Sequence, residues 1–106
     1  MSISTKQQSN RVAFVTGSAK RVGKEIILSL SEAGYDVWIH YKSSEREAIE
    51  LASMICANGR IAHCVQGDIR DRKAVETIMS TIKEKSGHLD VLVNNIGEYK
   101  CGPLLE

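Results

Sequence analysis

Nine consecutive residues, Thr16-Gly17-Ser18-Ala19-Lys20-Arg21-Val22-Gly23-Lys24, constrain this chain more than any other stretch. In front of them stands Val12-Ala13-Phe14-Val15-Thr16, an unbroken apolar run of the kind buried on both faces of a parallel sheet. Behind them Val22, Ile26, Ile27, Leu30 and Ala33 recur at helical spacing. A strand, a tight turn and a helix start, in that order, aim unpaired backbone N–H groups and the positive end of a helix dipole at one place. A pyrophosphate fits such a place.

The rest of the chain repeats the strand-and-helix theme. Gly34 stops the first helix, and Asp36-Val37-Trp38-Ile39-His40-Tyr41 reads as a second strand. Ser43 or Ser44 caps a second helix that carries Ala48, Leu51, Ala52 and Ile55 on one face and ends at Asn58-Gly59. Residues 61–66 form a third strand. Asp71 then caps a third helix with Val75, Ile78, Met79 and Ile82 inward, and Gly87 closes it. Residues 89–94 make a fourth strand. Strict alternation predicts parallel pairing with right-handed crossovers, which gives a Rossmann-like doubly wound α/β sheet of order 3-2-1-4, truncated after the fourth strand.

Residues 1–10 are polar and rich in Ser and Gln, and they read as a flexible tail without a secretion or import signal; residues 11–106 read as a partial dinucleotide-binding domain. A net charge of +1 with scattered basic residues excludes partners that need massed charge, so no nucleic acid and no anionic membrane is expected. No apolar run approaches a transmembrane span. Cys56, Cys64 and Cys101 are too far apart for a zinc motif or a disulfide framework, so no metal is expected and the thiols read as reduced ones in cytoplasm.

Ligands of an open parallel sheet lie across the carboxyl ends of its strands at the switch point, here between the first and fourth strands. Every chemically interesting stretch falls on that edge: the Gly17 turn, His40 to Ser44, Asp68-Ile69, and Asn95-Ile96-Gly97. A carboxylate ending the second strand would bind the adenosine ribose hydroxyls of NAD and repel a 2′-phosphate. None stands there. His40, Tyr41, Lys42, Ser43 and Ser44 offer cationic and hydroxyl groups instead, and Arg21 lies on the neighbouring turn, so NADP(H) is the expected cofactor. Two blander roles stay open: Lys42 and Ser43 solvating a loop, and His40 as a partly exposed strand-end histidine. Asp36 opens the strand at the opposite edge and does not restore NAD.

Thr16-Gly17-x-x-x-Arg21-x-Gly23 resembles the T-G-x-x-x-G-x-G turn of the short-chain dehydrogenase/reductase family, with Arg21 where the middle glycine usually stands. That form is similar to the pteridine-reductase branch, as is Ile39-His40-Tyr41-x-x-Ser44. The resemblance implies backbone and side-chain contacts to the cofactor from Gly17, Ser18, Arg21, Val22 and Gly23. It implies that Asp68 accepts from the adenine amino group while Ile69 packs on the ring; the alternative for Asp68 is a turn aspartate. Asn94-Asn95-Ile96-Gly97 resembles the family's Asn-Asn-Ala-Gly near the cofactor ribose, with Ile96 for alanine. Tyr99 lies where the branch stacks an aromatic on a pterin, an arrangement worth about 1 kcal/mol beyond burial; it serves equally as a residue shielding the sheet edge.

The family's proton donor is a Tyr-x-x-x-Lys pair with an accompanying serine. Tyr35 is followed four residues on by Ile39, Tyr41 by Glu45 and Tyr99 by Pro103, so no catalytic residue is assigned. The resemblance implies the NADP(H)-binding portion of an oxidoreductase that, when intact, transfers hydride to a small carbonyl or pterin-like substrate and forms homo-oligomers. The alternative is a non-catalytic nucleotide-binding or association module. With the fourth strand as an open edge, the 106 residues alone are expected to be poorly stable or to self-associate.

Overall fold

The computed structural model describes residues 10–95. Ile96, Gly97, Tyr99, Cys101 and residues 1–9 of the expected tail lie outside the described residues, while Asn10, its last residue, donates its side-chain amide to Asp36 Oδ1 at 3.0 Å. The elements alternate as expected: β1 (Val12–Val15), α1 (Arg21–Glu32), β2 (Asp36–Tyr41), α2 (Glu45–Ala57), β3 (Ala62–Gln66), α3 (Arg72–Ser86) and β4 (Val91–Val93). The four strands form one parallel sheet ordered β3-β2-β1-β4.

A parallel sheet needs cover on both faces, and the central strands supply apolar residues to each in turn. Val15, Val37 and Ile39 pack on one side with Ile27 of α1 and Ala48, Leu51 and Ile55 of α2. Val12, Phe14 and Trp38 pack on the other with Ile78 and Ile82 of α3. Trp38 is buried and donates its indole N–H to Ser86 Oγ at 2.9 Å, so its polar edge is satisfied at the end of α3.

Ile26, Ile27 and Leu30 of the apolar face that the spacing suggests for α1 pack on the core, but Val22 and Ala33 do not. Gly23, Ile27 and Ser31 form its buried line, while Val22 is 64% exposed and Ala33 is the exposed C-cap. A small buried line lets the start of α1 lie close to the sheet and turns Val22 toward the strand ends. Ser44, not Ser43, is the N-cap of α2, and its side chain makes no capping bond. Asp71 does cap α3, accepting from Lys73 N at 3.0 Å, and Gly87 closes that helix with φ of +86°. β4 is shorter than the apolar run read for it. Its outer position Leu92 is 55% exposed at the sheet edge.

Candidate functional site: the carboxyl edge of the sheet

The turn after β1 is held by its neighbours on both sides. Thr16 still donates its backbone N–H to Val93 O of β4 at 3.0 Å, and its hydroxyl is a junction, donating toward Asn94 Oδ1 at 3.2 Å and accepting from Asn95 N at 2.8 Å. Asn95 closes the loop by donating its side-chain amide to Gly17 O at 3.1 Å. The end of β4 is thereby tied to the turn. On the β2 side, Ser18 N donates to His40 O at 3.0 Å and His40 N donates to Ser18 Oγ at 2.9 Å. Ser18 Oγ in turn donates to Val15 O at 2.7 Å, and the Ser18 side chain is fully buried.

Gly17 has φ of +60°, in the left-handed region that glycine tolerates. Gly23 answers a different need. A Cβ on it would stand 2.3 Å from Gly17 O, 2.7 Å from Ser18 Cα and 2.8 Å from Asn95 Nδ2, so α1 reaches the turn only because nothing is there. Arg21 occupies the position of the family's middle glycine with φ of +60°, which accounts for the glycine usually found there.

A cleft of about 500 Å³ opens over this turn, lined by Gly17, Ala19, Lys20, Arg21, Val22, the β2 end from His40 to Ser44, and Asn95. The backbone N–H groups of Arg21, Val22 and Gly23 belong to the first turn of α1, where no intrahelical acceptor exists. Their dipole end favours an anion. Arg21 and Lys42, expected to share one phosphate, line the same cleft from opposite sides, with Tyr41 and Ser43 beside Lys42.

Three expected contributors act differently from their reading in the sequence. His40 is not a partly exposed histidine but 1% exposed, with Nδ1 accepting from Gly17 N at 2.8 Å and Nε2 donating to Gly67 O at 2.7 Å. The Gly17 bond fixes which nitrogen bears the proton. Burial holds its pKa below the ordinary histidine value, partly opposed by the Gly67 carbonyl and Asp68. It therefore supplies shape, not charge. Ser18 likewise spends its amide and hydroxyl inside the protein, which leaves the later amides to face the cleft.

Asp68 is a half-exposed carboxylate already surrounded by donors. Arg70 gives its N–H at 2.9 Å, Nε at 3.2 Å and Nη2 at 3.2 Å, and Lys42 Nζ lies 3.5 Å away. These occupy its lone pairs, so an adenine amino group would displace one of them. Hydrogen bonds from Arg70, above all, hold the Asp68 pKa well below the usual carboxylate range. A carboxyl carbon NMR titration is expected to find Asp68 ionised at acid pH values where other aspartates have become neutral, and Arg70→Ala is expected to bring it back toward them. Ile69 is half-buried next to it. Arg70 is the participant that residue patterns alone did not single out, while Thr16 was read as part of the turn motif without a role of its own; the Asp-x-Arg spacing, which allows an Asx turn at Asp68, was the available signal for Arg70.

Comparison with known proteins places this geometry. A family model described as short chain dehydrogenase matches residues 11–106. The chain belongs to the short-chain dehydrogenase family. Among curated relatives of this short-chain dehydrogenase, a 3-oxoacyl-[acyl-carrier-protein] reductase, FabG, of Staphylococcus aureus is 35% identical over 85 residues, covering 80% of this chain and 35% of the relative. A crystal structure of a short-chain dehydrogenase from Burkholderia cenocepacia in complex with NADP superposes with a TM-score of 0.81 at 36% identity, covering 92% of this chain and 40% of that one. A FolM alternative dihydrofolate reductase 1 from Brucella canis, complexed with NADP, gives 0.79 at 30% identity over 90% of this chain and 38% of that one. The chain thus spans well under half the length of these relatives. Among the described residues, no helix is long and apolar enough to cross a membrane.

Proposed function

We propose that this chain binds NADP(H) at the carboxyl edge of its sheet and forms the cofactor-holding part of a cytoplasmic, self-associating reductase acting on a small carbonyl or pterin-like substrate. The observation that carries the reading is the cleft itself, which the start of α1, Arg21 and Lys42 line and whose wall holds no acidic side chain among the described residues, Asp68 standing behind Lys42 as its ion-pair partner. A dinucleotide pyrophosphate suits the N–H groups of Arg21, Val22 and Gly23. A 2′-phosphate suits Arg21, Lys42 and Ser43, which supply cations and a hydroxyl donor. Asn95, with Ile96 and Gly97 following, suits the ribose side, and Asp68 and Ile69 suit the adenine side once Arg70 or Lys42 gives way. Tyr99 remains the candidate platform for a flat substrate.

The cofactor would supply the hydride. The chain's own residues bind and orient it: Gly23 permits the close approach, Asn95 and His40 fix the turn, and the cations select the phosphate. None of the 106 residues forms a Tyr-x-x-x-Lys pair, so proton delivery is not assigned to any of them. The relatives complexed with NADP, including one named as a reductase of dihydrofolate, support the cofactor and the pterin-like class.

Equilibrium binding tests the proposal. NADPH is expected to bind about a hundredfold more tightly than NADH, and Lys42→Ala to remove roughly half of that preference in free-energy terms, since one charged hydrogen bond contributes about 1.5 kcal/mol. Equal affinities for the two cofactors before mutation would overturn the phosphate assignment.

A further inference from the structure

His40 is the one described side chain that reaches both neighbours of its own strand, the turn after β1 and the loop after β3. We infer that its neutral imidazole is a positioning residue, a gauge that sets the phosphate turn against the adenine-side loop, so that protonating it loosens the turn and weakens dinucleotide binding. The binding half of this inference rests on the cofactor reading above; the clamp itself does not.

The argument begins with hydrogen-bond polarity. The Gly17 amide can only donate, so Nδ1 must present a lone pair, and the ring proton must sit on Nε2, where it meets Gly67 O. An imidazolium carries protons on both nitrogens. Its Nδ1–H would then face the Gly17 N–H across 2.8 Å, donor against donor, and one of them must move.

Gly17 is badly placed to move alone. Its carbonyl accepts from Asn95 Nδ2, and that same carbonyl is the nearest atom to the empty Cβ position of Gly23. A shift of Gly17 therefore disturbs both the β4 tie and the seat of α1. On its other side the ring donates Nε2–H to Gly67 O, a bond that the imidazolium keeps, so the disturbance falls on the phosphate turn.

The surroundings favour the neutral ring. β1 presents the edge of Phe14, with centroids 6.1 Å apart; the turn presents Gly17 and Ser18; the loop after β3 presents Gly67 and Asp68. Asp68 is the charged group among these and it favours the proton, but burial outweighs it and the pKa is lowered. The sign follows from linkage. An unfolded chain takes up this proton near the ordinary value of about 6.5, the folded one only at lower pH. His40 therefore costs no stability above that value, and an increasing amount as pH falls toward its own folded pKa.

The test uses the full chain with NADP⁺, which survives acid, and compares it with His40→Asn, whose Oδ1 can accept from Gly17 N–H and does not titrate. As pH falls from about 7.5 to below the ordinary histidine value of about 6.5, wild-type affinity is expected to fall more steeply than that of the variant. At neutral pH the variant is expected to bind about threefold more weakly, because the Gly67 carbonyl has lost its donor. The cofactor phosphate titrates equally in both proteins and cancels. Nitrogen NMR of the wild-type ring gives an independent reading: Nε2 protonated, Nδ1 bare, a midpoint below the ordinary value, and the Gly17 amide signal moving with it.

A ring protonated on Nδ1 at neutral pH, or a variant with the full acid slope, overturns the inference. If His40→Asn fails to fold, the wild-type ring and Gly17 signals decide alone. Absence of NADP⁺ binding at every pH overturns the cofactor reading and the binding half of this inference, while those NMR signals still decide the clamp.

Discussion

Gly23→Ala is expected to lower the unfolding free energy by about 3 kcal/mol, the upper range for overpacking a closed site, and to abolish NADPH binding. The cost is steric, because Gly23 is not among the glycines with positive φ. Its missing Cβ would overlap three groups from two segments: the Gly17 carbonyl and the Ser18 backbone of the turn, and the Asn95 amide after β4. Two of these are backbone, and the Asn95 side chain cannot swing away without releasing Gly17 O. The overlap can be relieved only by lifting α1 off the turn, which removes the N–H groups that would meet the pyrophosphate. Gly59→Ala provides the contrast. Gly59 has φ of +82° with nothing within 4 Å of its Cβ position, so alanine there is expected to cost about 1 kcal/mol through backbone strain and leave binding intact. Urea unfolding followed by Trp38 fluorescence, paired with NADPH titration, measures both effects. A Gly23→Ala protein with a wild-type midpoint would mean that α1 does not sit against the turn.

Such contrasts between glycines show where sequence reasoning succeeds and where it stops. Strand order was legible because apolar runs alternated with helical spacing, and only one handedness of crossover is allowed. The Gly17 to Gly23 spacing marked the turn for the same reason: it is a local pattern read along one segment. The face of α1 was legible through Ile26, Ile27 and Leu30, which pack on the core, but not at its start, because Val22 is as apolar as Ile27 and only the close approach at Gly23 decides which of them meets the core.

The partners of His40 and Asp68 were not legible for a related reason. A histidine and an aspartate at strand ends look available, yet each is occupied by partners that the sheet brings from elsewhere. Gly17 and Gly67 lie 23 and 27 residues from His40 along the chain. For Asp68 the partner is only two residues away, but Arg70 folds back through a side-chain rotamer that no spacing rule specifies. Long-range hydrogen bonding, more than propensity, is what separates a residue that touches a ligand from one that holds the residue that does.

Arg21→Gly is expected to move stability and binding in opposite directions, and that makes it the sharpest test of the cationic wall. Arg21 stands at φ of +60°, where a residue with a Cβ loses about 1 kcal/mol relative to glycine, so the substitution should stabilise the fold by about that amount. The same change removes a guanidinium from the cleft between the turn and Lys42. Loss of one charge-assisted bond to a phosphate, about 1.5 kcal/mol, corresponds to roughly tenfold weaker NADPH binding, whereas NADH affinity should be unchanged. A destabilising variant that binds poorly proves little, since unfolding alone explains it; a stabilised variant that binds poorly has lost a contact. Arg21→Lys separates charge from shape. It keeps the strain and the charge but lacks the planar fork, so NADPH affinity should fall between the other two proteins with no gain in stability. If Arg21→Gly raises the melting temperature and leaves NADPH affinity intact, the arginine is tolerated in a strained position for a reason other than the phosphate, and the selectivity must rest on Lys42 and Ser43.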